Sequence, residues 1–248
     1  MTSPAPSFPT PLFAGPPVVV GHRGAPVSHP ENTPASFAEA ARVGATWVEL
    51  DARLDADGEV VVHHDPVLAD GRAIIDLSTA ELSAAGVWTL AAVLAGLPDD
   101  LGVDLEIKNF PGEPDHDESM HIVDGCTGIV AASAARPLLV SSFNPMVLLA
   151  AADRGMPLPL GLLTASIDLD GGIEAALDLG CAVLCPQDST DGLDAAGIAA
   201  AHEAGLSLLV WTVDDLDQAR ALAEGGIDAI CTNDPAAVRG VLDDRVRR

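Results

Sequence analysis

Short runs of valine, isoleucine and leucine alternate along the chain with longer runs rich in alanine. The apolar runs have strand lengths, and the alanine-rich runs have helix lengths. We predict strands over residues 18–22, 47–53, 59–64, 103–108, 138–143, 160–164, 182–186, 206–213 and 229–232. We predict helices over residues 33–43, 90–97, 119–135, 145–154, 173–179, 195–204, 216–223 and 235–243. With residues 59–64 treated as an arm that follows the second strand, about eight strand–helix units remain, as in a parallel sheet covered by helices.

Eight such units in a chain of 248 residues predict an α/β fold in the form of a (β/α)8 TIM barrel. A doubly wound open sheet is the alternative architecture. The dinucleotide-binding version of that sheet carries Gly-x-Gly-x-x-Gly after its first strand, and this chain does not. We therefore predict a single barrel domain over residues 18–248, preceded by an irregular proline-rich arm over residues 1–17.

The charge of the chain limits the partners that it can bind. Twelve basic residues against 37 acidic residues give a net charge of −25. Nucleic-acid binding normally requires a basic surface, so we predict no nucleic-acid partner. Residues 1–17 lack the basic start and the unbroken apolar run of a secretory signal, and we identify no membrane-spanning run. We expect a cytoplasmic protein with no stable membrane insertion, and the sequence predicts no particular oligomeric state.

Charged side chains stand at the carboxyl ends of the predicted strands, where TIM barrels build their active sites. Glu49 and Asp51 are two residues apart on one strand and therefore share a face. Glu106 and Lys108 are related in the same way on a second strand. Three carboxylates that converge on one point suit Mg²⁺ or Ca²⁺, whereas zinc favours histidine and cysteine ligands. Ion pairs at the strand ends are the alternative interpretation of these residues.

Two histidines end predicted strands beside this acidic cluster. His22 lies near glycines that let a ligand approach closely, and Arg23 can place its guanidinium fork on phosphate oxygens. His64 ends the arm, and we place its side chain inward, with His63 on the opposite face. A lone histidine at a strand end is more often structural. Two histidines on different strands beside carboxylates and a lysine instead favour a pair that divides acid and base duties near neutral pH.

Eight segments of the chain, taken as an ordered set, resemble the glycerophosphodiester phosphodiesterase family of phospholipase-C-like TIM barrels. These segments are GHRG at 21–24, PENTPASF at 30–37, VELDAR at 48–53, DGEVVVHHD at 57–65, LEIK at 105–108, SSF at 141–143, VWTV at 210–213 and GIDAICTNDP at 226–235. They are spread over nearly the whole chain, so the resemblance implies that the entire domain is a barrel of this family.

The resemblance also implies a role for each matching residue. It implies catalysis by His22 and His64, binding of a divalent cation (Mg²⁺ or Ca²⁺) by Glu49, Asp51 and Glu106, phosphate contacts from Arg23 and Lys108, and substrate contacts from Phe143 and Trp211. Asn233 has two interpretations: polar contacts at the last strand, or a helix cap before Pro235.

The reaction implied by the resemblance is metal-dependent hydrolysis of a small-molecule glycerophosphodiester to glycerol 3-phosphate and an alcohol. The nucleophile is either water or the 2-hydroxyl of the substrate glycerol, which would pass through a cyclic phosphate. A lysophospholipase D, or an enzyme that cleaves another diester, is the alternative enzyme. A barrel that binds phosphodiesters without turnover is the alternative outside catalysis.

Two segments depart from the family pattern or carry no assigned role. After Asp65 the family usually carries a longer insertion that covers the site, whereas residues 66–87 are short here. We therefore expect a more open or differently covered pocket. The polar loop over residues 109–117 follows the strand of Glu106, and it borders the substrate, binds a second cation or is simply solvated.

Overall fold

A ring of eight parallel strands forms the centre of the computed structural model, which describes residues 12–13, 15, 17–133 and 136–246. These residues form ten strands, of which β3 and β4 lie outside the ring: Val18–Gly21 (β1), Trp47–Leu54 (β2), Val60–Val62 (β3), Trp88–Thr89 (β4), Gly102–Ile107 (β5), Leu138–Ser142 (β6), Leu160–Thr164 (β7), Val183–Pro186 (β8), Ser207–Val210 (β9) and Ala229–Thr232 (β10). Hydrogen bonds run in the order β1–β10–β9–β8–β7–β6–β5–β2, and the pairing of β1 with β2 closes the ring. The predicted TIM barrel is thereby confirmed.

Helices alternate with the barrel strands and cover their outer side. They are Pro34–Arg42 (α1), Thr79–Ala84 (α2), Leu90–Gly96 (α3), His121–Ala132 (α4), Pro145–Asp153 (α5), Leu169–Asp178 (α6), Ala195–Glu203 (α7), Leu216–Gly225 (α8) and Pro235–Val246 (α9). Polar caps set several of their first residues. Thr33 accepts a hydrogen bond from the backbone nitrogen of Ser36 before α1, and Asn144 accepts one from Met146 before α5.

Alternate residues of the barrel strands face two different environments. On β2, Val48 and Leu50 pack in the outer core between strands and helices, while Trp47 packs in the core inside the barrel. Glu49 shares the parity of Trp47 and lines the cavity at the mouth of the barrel. This alternation agrees with the face that the spacing of two residues predicts for Glu49 and Asp51.

The arm that we predicted after the second strand is present, and its strands pair antiparallel. β3 pairs with β2, and β4 pairs with β3, so the arm is a ribbon attached to one barrel strand. The predicted strand over 59–64 is shorter in the structure, where β3 covers Val60–Val62. Its residue Val61 packs in a small separate core with Ile74 and Leu82 of the following segment.

Two helix predictions need correction. No helix was predicted within residues 66–87, but a short 3₁₀ turn and α2 form there. Ser78 and Glu81 make a capping box at the start of α2. α6 begins at Leu169 rather than residue 173, because Asp168 accepts a hydrogen bond from the backbone nitrogen of Gly171. The glycines at the start of α6 had hidden that first turn. Helix α4 ends at Ala132, and residues 134–135 of its predicted range lie outside the described residues.

Most of the predicted arm over residues 1–17 also lies outside the described residues, so its irregular structure stays a prediction. Within the described part, Phe13 is 3% exposed and packs its ring 5.1 Å from the ring of Trp47 in an edge-to-face contact. Gly102 leaves room for that indole, because a Cβ at this position would collide with it. Among the helices of the described residues, we find none with the length and apolarity needed to cross a bilayer.

Candidate active site

A cavity of about 200 Å³ opens at the carboxyl ends of the strands. Its lining residues are His22, Arg23, Glu49, His64, Asp104, Glu106, Lys108, Ser141, Phe143, Leu163, Leu209, Trp211, Thr212 and Cys231. Eight of the nine residues singled out from the sequence are among them. The ninth, Asp51, is fully buried and contacts the side chain of Lys108. The structure thus brings the candidate residues from six strands and their loops to one place.

Three carboxylates lie close enough to share a cation. Glu49, Asp51 and Glu106 each offer an oxygen, and these oxygens lie within 4.8 Å of one another. Each of these side chains also has a buried oxygen that receives no hydrogen bond. Lys108 Nζ lies at ion-pair distance from two of them, 3.0 Å from Asp51 Oδ1 and 2.6 Å from Glu106 Oε1. An all-oxygen donor set with unsatisfied lone pairs fits Mg²⁺ or Ca²⁺.

Burial and mutual repulsion make this cluster electrostatically unfavourable in the absence of a cation. Burial and the charges of Asp51 and Glu106 raise the pKa of Glu49 well above its ordinary value. Burial also raises the pKa of Glu106 to about 7, although Lys108 opposes the shift. For Asp51, burial is outweighed by the positive charges of Lys108 and Arg23, which lower its pKa to about 2. A divalent cation would relieve the repulsion that remains.

The turn after β1 places Arg23 over the cluster. Its backbone nitrogen donates to Glu49 Oε2 at 2.9 Å, and its Nε lies 3.4 Å from Asp51 Oδ2 without an aligned hydrogen bond. Arg23 adopts a positive φ of 55°, which is uncommon for a residue with a side chain. Gly21 permits this tight turn, because a Cβ there would collide with the carbonyl oxygen of Gly24. The strained backbone therefore aims one main-chain donor at a carboxylate of the site.

The two candidate histidines both line the cavity, and each has a different side-chain partner. His22 Nδ1 lies 2.8 Å from Asn233 Oδ1, and its Nε2 lies 3.9 Å from Glu49 Oε2. His64 Nδ1 lies 2.7 Å from Asp65 Oδ1. Burial is the main cause that lowers the pKa of both histidines, so both rings favour the neutral state more than a free histidine does. His63 instead places its Nδ1 2.8 Å from the carbonyl oxygen of Asp65.

Aromatic rings form one wall of the site. The rings of Phe143 and Trp211 meet at 5.1 Å and 89°, and Phe110 packs against Phe143 at 5.9 Å. Trp211 Nε1 donates to the carbonyl oxygen of Cys185 at 2.8 Å, which fixes the plane of the indole. Phe143 and Trp211 both line the cavity.

Arg53 anchors the loop over residues 109–117 through hydrogen bonds to two of its acidic side chains. The guanidinium is 2% exposed; its Nη1 donates to Asp115 Oδ2 at 2.6 Å and to Glu113 Oε2 at 2.9 Å. Its Nε donates to the carbonyl oxygen of His64 at 2.8 Å. Two acidic residues of the loop are therefore paired with an arginine, which disfavours the second cation site considered from the sequence. The same arginine connects the loop to the main chain of a candidate catalytic residue.

Sequence reasoning missed three residues of this neighbourhood. Asp104 is 1% exposed, accepts a hydrogen bond from Ser141 Oγ at 2.7 Å, and has a pKa raised to about 7 by burial. Arg53 and Asp104 continue the two-residue spacing of their strands, so that spacing was a usable signal. Asp214, which contacts Asn233, had no such signal. Asn233 itself contacts His22, and the cap of α9 is Asp234, whose Oδ1 accepts from the backbone nitrogen of Ala237.

Comparisons with known proteins agree with this geometry. The model of the glycerophosphoryl diester phosphodiesterase family matches residues 22–237. The Mycobacterium tuberculosis protein named "Probable glycerophosphodiester phosphodiesterase 2" is 26% identical to this chain over 257 aligned positions, which cover 91% of this chain and 90% of that protein.

Solved structures are similar over the same extent. A protein from Silicibacter pomeroyi superimposes with a TM-score of 0.83 at 26% identity, covering 95% of this chain and 96% of its own. A phosphodiesterase from Oleispira antarctica, solved in complex with the product sn-glycerol-3-phosphate, superimposes with a TM-score of 0.80 at 28% identity, covering 92% and 97%. Each similarity extends over nearly the full length of this chain and of the solved protein.

Proposed function

Because the chain belongs to the glycerophosphoryl diester phosphodiesterase family, we propose that it hydrolyses glycerophosphodiesters to glycerol 3-phosphate and an alcohol. The observation that carries the proposal is the convergence of two histidines, three carboxylates and two cationic side chains on one cavity at the barrel mouth. The similar phosphodiesterase from Oleispira antarctica, whose complex contains sn-glycerol-3-phosphate, supports this substrate class.

Glu49, Asp51 and Glu106 would hold a divalent cation, Mg²⁺ or Ca²⁺, because their oxygens converge and each side chain keeps one buried oxygen that accepts no hydrogen bond. When bound, such a cation offsets negative charge on the phosphate oxygens. Arg23 and Lys108 add positive charge to a protein whose net charge of −25 would otherwise repel an anionic substrate. The buried Arg23 Nε has no hydrogen-bond partner, so it can donate to a phosphate oxygen.

The histidines would divide the proton transfers. Asn233 Oδ1 accepts a hydrogen bond from the Nδ1–H group of His22, which leaves the lone pair of the neutral ring on Nε2, facing the cavity. We assign His22 as the base that takes the proton of the attacking hydroxyl. His64 Nδ1 instead lies 2.7 Å from the carboxylate of Asp65, which stabilises positive charge on the ring and partly offsets the burial that lowers the pKa of His64. We assign His64 as the acid that protonates the leaving alkoxide.

The displacement at phosphorus forms one bond and breaks another. The attacking oxygen forms a bond to phosphorus, and the bond between phosphorus and the head-group oxygen breaks. The proton removed by His22 and the proton given by His64 balance each other over a turnover. The attacking hydroxyl is that of water or the 2-hydroxyl of the glycerol moiety. In the second case the first product is a cyclic glycerol phosphate, which water then opens to glycerol 3-phosphate, and its accumulation would identify this route.

The test is release of glycerol 3-phosphate from glycerophosphocholine and glycerophosphoethanolamine, with Mg²⁺, with Ca²⁺ and with EDTA. We expect release that requires a divalent cation and that His64→Ala lowers by about 100-fold or more, the scale of general acid catalysis. His63→Ala is the matched control, since this neighbouring histidine bonds the main chain of Asp65 and does not line the cavity.

Three results would contradict the proposal. Folded wild-type protein that releases no glycerol 3-phosphate with either cation would reject the substrate class. Equal activity in His64→Ala and His63→Ala would reject the acid assignment. Undiminished activity in EDTA, after exhaustive removal of bound metal, would reject the role of the three carboxylates.

A further inference from the structure

Asp214 does not line the cavity, yet the side chain of Asn233 connects it to His22, which does. Its Oδ2 accepts a hydrogen bond from Asn233 Nδ2 at 2.6 Å, and Asn233 Oδ1 lies 2.8 Å from His22 Nδ1. We propose that Asp214 is a positioning residue which, through Asn233, selects the tautomer of His22. This inference rests on the proposed function, because it assigns a reason for the proton-accepting state of the proposed base.

The carboxylate of Asp214 sets the orientation of the Asn233 amide. An ionised carboxylate can only accept hydrogen bonds, so the amide nitrogen of Asn233 has to face Asp214. The amide oxygen of Asn233 then has to face His22. An oxygen at 2.8 Å from Nδ1 requires a proton on Nδ1, and in the neutral ring the lone pair is then on Nε2. Only this tautomer can take a proton on the side that faces Glu49.

The position of Asp214 is itself fixed by the fold. Its Oδ1 accepts hydrogen bonds from the backbone nitrogen of Asn233 at 2.8 Å and from Thr232 Oγ1 at 2.9 Å. Thr232 ends β10 and is paired in register with Gly21 of β1, the residue before His22. The backbone nitrogen of His22 also donates to the carbonyl oxygen of Thr232 at 2.9 Å. The relay therefore spans the junction between two neighbouring barrel strands.

Asp214 is exposed to solvent, so its charge is screened and its influence on His22 has to come from the direction of the hydrogen bonds. This distinction leads to a specific expectation for Asp214→Asn. The new amide oxygen would accept the two bonds from Thr232 and from the main chain, and its nitrogen would face Asn233. The Asn233 amide would turn over to accept that donor and would offer its own nitrogen to Nδ1 of His22. The proton of the neutral ring would move to Nε2, which is then no longer a base.

Exchanging the two side chains should restore the tautomer. In the double variant Asp214→Asn/Asn233→Asp, the asparagine at 214 donates to the carboxylate at 233, and that carboxylate accepts the Nδ1 proton of His22. The single variant Asn233→Asp should not be equivalent, because it places two carboxylates face to face. A purely structural contribution of Asp214 to the loop would make the double variant at least as defective as the single variants.

The experiment measures kcat and KM with glycerophosphocholine and Mg²⁺, together with the ring nitrogens of His22 by ¹⁵N NMR at about pH 8, where a histidine is neutral. His22→Gln identifies the His22 signals among the seven histidines. For Asp214→Asn we expect a fall in kcat of about 10- to 100-fold, the usual cost of losing a supporting partner, with KM nearly unchanged and the ring proton on Nε2. The double variant should recover most of kcat and return the proton to Nδ1. Asp215→Asn is the matched control, since Asp215 caps α8 through Gln218 and does not contact Asn233.

Two results would overturn the inference. One is a ring proton that stays on Nδ1 in Asp214→Asn, and the other is a double variant no better than Asp214→Asn. Wild-type protein without hydrolysis of any diester would reject the proposed function, but the NMR comparison of tautomers would still decide the role of Asp214.

Discussion

Replacing Asp104 by asparagine should stabilise the metal-free protein, and the gain should grow as the pH rises. Asp104 is 1% exposed, and burial raises the pKa of its carboxyl from 3.8 to about 7. Such a group stabilises the fold while it is protonated. Its contribution is complete below pH 3.8, declines as the pH rises, and is lost above about pH 7. Asparagine carries no charge at any pH, and its Oδ1 can still accept the hydroxyl of Ser141.

The size of the effect follows from the shift. One pKa unit corresponds to about 1.4 kcal/mol, so the raised pKa of Asp104 lowers the free energy of unfolding by about 4 kcal/mol at pH 8 and about 2 kcal/mol at pH 5, relative to a side chain that is neutral in both states. The free-energy difference between Asp104→Asn and wild type should therefore increase by roughly 2–3 kcal/mol between these two pH values. The pH-independent difference between a neutral carboxyl and an amide cancels in this comparison.

The assay is urea unfolding at the two pH values, with EDTA present throughout and with both tryptophan fluorescence and circular dichroism as probes. Asp217→Asn is the control, because the side chain of Asp217 is 93% exposed and accepts its hydrogen bond from Arg220. We expect the control to show no pH-dependent gain. If the gain from Asp104→Asn is the same at both pH values, the carboxyl is not protonated in the folded protein and the reasoning from burial is wrong.

Further predictions concern the metal site, the proposed base and the anchored loop. EDTA should abolish glycerol 3-phosphate release, and Glu106→Gln should raise the Mg²⁺ concentration for half activity by about tenfold or more; an unchanged metal titration would contradict the assigned ligand. Burial and the charge of Arg23 lower the pKa of His22 below its ordinary value of 6.5, so kcat/KM should fall towards acid pH with a midpoint below pH 6.5; a midpoint above pH 6.5 would refute the assignment. Arg53→Met leaves Asp115 buried without its partner and should reduce the free energy of unfolding by about 3–5 kcal/mol, whereas Arg53→Met/Asp115→Leu should recover most of it; urea unfolding of both variants checks this, and equal losses would contradict it.

The barrel and the content of its site followed from local patterns. The alternation of strand and helix lengths predicted about eight strand–helix units and favoured the closed parallel barrel over an open sheet, and the structure has the closed barrel. The spacing of two residues placed Glu49 with Asp51, and Glu106 with Lys108, on the faces that line or lie behind the cavity. These predictions succeeded because the side-chain period of a strand is a property of the backbone, and because parallel strands deliver their carboxyl ends to one rim.

Boundaries and small elements were less predictable. The helix Thr79–Ala84 was missed although Ser78 and Glu81 carry its capping signal, since six residues are too few to show an apolar period. The start of α6 was placed late because Gly171 and Gly172 are poor helix formers, and the cap at Asp168 outweighs them.

The sequence by itself determined which chemical groups reach the mouth of the barrel; only the tertiary structure decided which partner each group has there. Arg53 and Asp115 are 62 positions apart, and His22 and Asn233 are 211 apart, so no local period relates them. The raised pKa of Asp104, the anchoring of the loop by Arg53 and the contact of His22 with Asn233 all depend on atoms that lie close in space but far apart along the chain. Periodicity fixes the face on which a side chain lies, while burial and hydrogen-bond partners depend on how the closed sheet brings distant strands together.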